Sequence, residues 1–89
     1  MLFLLTNRSR PNLGPEQWAE LAALAKAFYA SIPADVKIRG EWAAVDQSHN
    51  YSLIEAPDID TVRRIQAPFE KYTETTIVPV TTISGWTAS

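Results

Sequence analysis

The tightest constraint on this chain is the order of its structural signals. Strand, helix, two strands joined by a hairpin, helix and strand follow one another within 89 residues. A chain this short has room for one sheet and one layer of helices. The order predicts an α+β fold of the split βαβ kind. Four antiparallel strands lie in the order 4-1-3-2, with both helices on one face. Residues 1–89 then form a single domain, with 84–89 as a C-terminal tail.

The strands read differently from one another. Leu2 to Arg8 is an apolar run, with Leu2 and Leu4 pointing one way and Phe3 and Leu5 the other. Such a strand is covered on both sides. The helices cover one face, so something else must cover the second. Val36 to Asp46 alternates, with Val36, Ile38, Gly40, Trp42, Ala44 and Asp46 on the more apolar side, expected toward the helices. Gln47-Ser48 is a turn, and His49 to Ala56 is the return strand. Pairing across that turn sets Trp42 opposite Leu53 and Gly40 opposite Glu55. His49, Tyr51, Leu53 and Glu55 then also face the helices. Glu74 to Ile83 is the last strand, and Pro79, which has no N–H to give a ladder, predicts an edge. The 4-1-3-2 order puts that strand at an edge independently.

The helices carry their own start signals. Gly14-Pro15 opens the first, which runs to Ala30 ahead of Ile32-Pro33. Trp18, Leu21, Ala22, Ala25, Phe28 and Tyr29 form its apolar stripe. Asp58 is the expected N-cap of the second. Its stripe is Ile59, Val62, Ile65 and Phe69, and Pro68 breaks or kinks it.

Composition narrows the function classes. Hydrophobic residues are 46% and charged residues 20%, which marks a folded chain. A net charge of −2 argues against a nucleic-acid partner. No cysteine is present, so a disulfide framework and a thiolate metal site are excluded. One histidine without clustered carboxylates offers no metal site either. The apolar start is too short for a membrane span and lacks a signal peptide's features, so a cytoplasmic location is the expectation. No cofactor and no membrane partner are expected.

Several features resemble the dimeric α+β barrel superfamily, whose fold is ferredoxin-like. Gly40-Glu41-Trp42, Asp46 at the hairpin, Tyr51-Ser52-Leu53-Ile54-Glu55 and Ile77-Val78-Pro79-Val80 are similar to one small bacterial family of unknown function within it. The resemblance implies a homodimer with the two sheets packed face to face, which would cover the second side of the first strand. Superfamily relatives include muconolactone isomerases, small cofactor-free monooxygenases of polyketide pathways, polyketide cyclases and haem-binding enzymes. Fold analogy does not choose among them.

Chemistry-bearing residues are few. Glu55, opposite Gly40 and toward the helices, is a candidate general base if desolvated. Its alternative is a solvated strand end, paired with Lys37, Arg39 or Arg64. His49 neighbours Asp46 across the turn, an acid/base device or plain turn chemistry. Trp42, Tyr51, Trp18, Phe28 and Tyr29 line the space between sheet and helices, as walls for a flat ligand or as simple core. Tyr51 is a candidate hydrogen-bond donor. Arg8 and Arg10 precede the first helix and either receive an anion or stay solvated. Trp86 is expected against the partner subunit.

Three functions follow as expectations. The first is a cofactor-free enzyme doing proton-transfer chemistry, isomerisation or cyclisation, on a small hydrophobic or aromatic molecule. The second is a binding or sensing module with the same pocket and no turnover. The third is a structural dimer module whose pocket is filled by its own side chains.

Overall fold

In the computed structural model, which describes residues 1–84, the elements follow the expected sequence. They are β1 (Leu2–Ser9), α1 (Pro15–Ala30), β2 (Lys37–Ala43), β3 (Asn50–Glu55), α2 (Ile59–Gln66) with a 3₁₀ turn (Ala67–Phe69), and β4 (Thr73–Val80). The sheet order is β2-β3-β1-β4, all pairs antiparallel. This is the ferredoxin-like βαββαβ arrangement, and Pro79 lies on an edge strand where its missing donor is tolerated. The expected contact of Trp86 lies outside the described residues.

Local chemistry explains the helix ends. Gly14 caps α1, and the Gln17 side chain reaches back to accept from its N–H at 2.9 Å. The helix stops at Ser31, whose N–H donates to the Phe28 carbonyl and whose hydroxyl donates to that of Ala27. Asp58 caps α2 as expected. One of its carboxylate oxygens accepts from the Thr61 N–H at 2.8 Å and the Thr61 hydroxyl at 2.7 Å. β4 ends at Val80, short of Ile83, because its partner β1 begins at the paired residue Leu2.

The packed core lies under α2. Phe3, Leu5, Val36, Ile54, Ala56 and Val62 are buried, with Ile59, Ile65 and Ile77 against them. In contrast, α1 has no buried residue, despite its apolar stripe, and Trp18 is 49% exposed. The stripe therefore faces the sheet without closing on it.

The register corrects the expected faces. Phe3 pairs with Ile54, Leu5 with Ser52 and Asn7 with Asn50. Asn50, Ser52 and Ile54 therefore share the helix-facing side, and Tyr51, Leu53 and Glu55 share the opposite one. His49, two residues before Tyr51 and stacked on its ring, goes with them. On β2 a bulge at Arg39 shifts the register between Ile38 and Gly40. Ile38 faces the helices, but Gly40 pairs with Leu53 and Trp42 with Tyr51 on the open side. The one extra residue reverses every side chain beyond it.

Uneven packing has a measurable consequence. Phe3→Ala should cost about 3–5 kcal/mol in urea unfolding, since it empties a fully buried site. Trp18→Ala should cost within about 1 kcal/mol, the behaviour of a surface position. A large loss at Trp18 would show that α1 closes on the sheet.

Candidate functional site

A cleft of about 440 Å³ opens between α1 and the helix-facing side of the sheet. That volume lies within the range of small-molecule sites. Trp18, Leu21, Ala25 and Phe28 supply an apolar wall from α1, and Leu5 and Ile54 an apolar patch of sheet. Asn7, Ser9, Asn50, Ser52, Gln66 and Thr73 supply polar groups.

The polar floor is ordered by its own hydrogen bonds. Asn7 Nδ2 donates to Asn50 Oδ1 at 2.8 Å. Thr75 Oγ1 and Gln66 Nε2 both donate to Asn7 Oδ1, at 2.6 and 3.1 Å. Gln66 Nε2 also lies 3.0 Å from Thr75 Oγ1. The row runs from β3 across β1 to β4 and up to α2. Among the described residues no buried side-chain polar atom lacks a partner.

α1 is held to this floor at its rim. The Tyr72 hydroxyl donates to Glu20 Oε2 at 2.7 Å. Phe28 meets Phe69 edge to face, with centroids 6.0 Å apart. The Tyr29 hydroxyl donates to Glu41 on β2. Partial burial, the hydrogen bond to Glu41 and that residue's negative charge together push the Tyr29 phenol up to about 12. Tyr29 is therefore a protonated donor throughout the physiological range.

A family model described as Domain of unknown function (DUF3303) matches residues 1–88. The chain belongs to the DUF3303 family. No curated protein matches it.

Within this DUF3303 chain, the residues singled out from sequence divide between two faces. Trp18, Phe28 and Tyr29 stand at the cleft. Glu55 does not: it lies on the open face, where Arg39 Nη2 donates to Oε1 at 2.8 Å. That hydrogen bond, with the Arg39 and Lys37 charges, outweighs desolvation and holds the carboxyl below its usual range. The paired strand end fits the alternative raised for Glu55 rather than a desolvated base. Gly40 does not stand opposite Glu55, which pairs with Lys37, and the Trp42 indole fills the space at Gly40. A Cβ at Gly40 would sit 2.5 Å from Trp42 Cη2. Trp42 and Tyr51 border the cleft from their strands, but alternation turns their side chains to the open face.

The hairpin tip forms a turn network. Asp46 Oδ1 accepts from the Ser48 N–H at 3.0 Å and the Ser48 hydroxyl at 2.6 Å. His49 Nδ1 lies 2.9 Å from that hydroxyl oxygen. These bonds from Ser48, reinforced by the His49 charge, lower the Asp46 carboxyl. Ser48 stands between Asp46 and His49, so Asp46 does not orient the imidazole directly. The hairpin closes through Gln47 at φ 64°, a left-handed position. Arg8 and Arg10 both pair with Glu74, and Arg10 Nε also donates to the Glu70 carbonyl at 2.7 Å. No described helix is long and apolar enough to cross a membrane.

Sequence reasoning missed Glu41, Asn7, Asn50, Ser52 and Gln66. Asn7 and Asn50 carried a usable signal, since asparagine is depleted in strands and each interrupts one here. Glu41 carried an indirect one: Gly40, a glycine inside the strand beside it, marks the bulge that turns Glu41 inward.

A pH titration tests the Tyr29 contact. Of three tyrosines, one should ionise near 12 by ultraviolet absorbance, and Tyr29→Phe should remove that step. The folded value is raised, so the stabilisation is complete below the unfolded value of about 10. It fades as pH rises through about 12. Three tyrosines titrating together near the ordinary value would contradict the contact.

Proposed function

We propose that this protein binds a small, largely apolar molecule between α1 and the sheet. One observation carries the reading: the Asn7–Asn50 end of the helix-facing side of the sheet is polar and internally hydrogen-bonded, beside an apolar helix stripe that buries none of its residues. A domain with nothing to bind would gain by closing that helix onto an apolar sheet. Apolar walls with a few placed polar groups are the ordinary make-up of a ligand site.

The fold and the opposite face support membership of the dimeric α+β barrel superfamily and assembly as a homodimer. Leu2, Leu4, Leu53, Val78 and Val80 lie together on the open face by register, joined by Trp42, which is 57% exposed. No helix covers this side in a single chain. Apolar sheet surface of this kind marks an interface, and a second copy offers a complementary one.

A second reading keeps the same site and adds turnover. Glu41 beside a protonated phenol is a carboxylate placed for proton transfer, the role that the sequence suggests for Glu55. Isomerisation or cyclisation of the bound molecule would then follow without a cofactor.

Thermal shift against a panel of indoles and naphthols tests the binding reading, since a ligand of the native state raises the melting temperature. A concentration-dependent rise is expected. Failure of every compound to shift it would contradict the site. A bound compound recovered unchanged favours the binding module, and one recovered as an isomer favours the enzyme. For the dimer, Val78→Glu should give a smaller sedimentation coefficient with unchanged circular dichroism. An unaltered coefficient would refute assembly through this face.

A further inference from the structure

Charge inside the cleft is one-sided. Of the side chains lining it, Glu41 is the one carboxylate. No lysine or arginine lines the space. Among the described residues Glu41 makes no ion pair, while Glu55, Glu74 and Asp60 each do. Its hydrogen-bond partner is the neutral Tyr29 hydroxyl, which engages Oε2 and leaves Oε1 free to accept. The carboxylate therefore stands at the edge of an apolar space with no cationic partner among the described residues.

The surrounding rings add to this polarity. Trp18, Phe28, Tyr29 and Phe69 all border the cleft. Phe28 stands edge-on to both Tyr29 and Phe69, with centroids 5.5 and 6.0 Å away. Aromatic faces are negative and attract cations. An anionic ligand would meet one carboxylate and several aromatic rings with no countercharge. A ligand ammonium would find the one carboxylate partner the cleft has, with aromatic rings nearby.

We propose that the cleft selects an organic amine, an apolar or aromatic body carrying one protonated nitrogen, with the ammonium donating to Glu41. The inference rests on the cleft being a ligand site and names the class of ligand it takes. The body lies along Trp18, Leu21 and Phe28. Tyr29 is a positioning residue, fixing the carboxylate through its hydroxyl.

Three probes sharing one ring system but differing in charge test this: tryptamine, tryptophol and indolepropionate. Calorimetric titration should give tryptamine a Kd about tenfold below that of tryptophol, the scale of one charge-assisted hydrogen bond. Indolepropionate should bind weakest. In Glu41→Gln, tryptamine should fall to the tryptophol level while tryptophol is nearly unchanged. Added salt should shrink tryptamine's advantage and leave tryptophol alone, a readout in the wild-type protein that does not depend on the variant folding. Equal affinity for tryptamine and tryptophol, or an advantage that survives Glu41→Gln, overturns the amine proposal and leaves the cleft as a neutral-ligand site. Absence of binding by all three overturns both the proposal and the site beneath it.

Discussion

A row of side-chain hydrogen bonds crossing the sheet, from Asn50 through Asn7 to Thr75 and Gln66, is the interaction on which the rest of this structure turns. It occupies the face that would normally be packed core. Amide and hydroxyl groups cost free energy under an apolar helix unless they find partners. Here they find one another sideways, within the sheet and α2. The row is thereby satisfied without contact from above, and α1 gains little by descending onto it. A cleft remains where a core would otherwise be.

The position of α1 follows from the same constraint. α2 sits over Phe3, Leu5 and Ile54 and buries Val62 among them. α1 has no comparable patch beneath its whole length. It is held by contacts at the edge, Glu20 to Tyr72, Phe28 to Phe69 and Tyr29 to Glu41. Its apolar stripe is thus kept in place and left available. The opposite face has the reverse character, with leucines and valines on three strands and no helix over them. Each face of the sheet therefore keeps apolar surface uncovered in one chain, the cleft wall beneath α1 and the leucine and valine patch on the open side.

This exchange of character explains what could be read from the sequence. Element order, the α1 bounds, the Asp58 cap and the edge position of β4 follow from local signals, namely caps, prolines and periodicity. The faces of β2 and β3 do not. Composition alone sends the side richer in apolar residues toward the helices, a rule that holds where a sheet has one dry side. In this sheet Tyr51 and Leu53 are apolar on the open side, and Asn50 and Ser52 are polar beneath α1. The bulge at Arg39 adds a second reversal, bringing Glu41 to the cleft and Trp42 out of it. Register depends on pairing across the sheet, which a single strand's composition does not encode. The aromatic wall was legible because it lies on a helix, whose phase no bulge disturbs.

Heteronuclear NMR during a titration with tryptophol decides whether small molecules enter beneath α1, as proposed. Shifts are expected at Asn7, Asn50, Ser52 and the Trp18 indole, with Leu4, Leu53 and Val78 unmoved. Shifts confined to those three open-face residues, or none at saturating ligand, would contradict it.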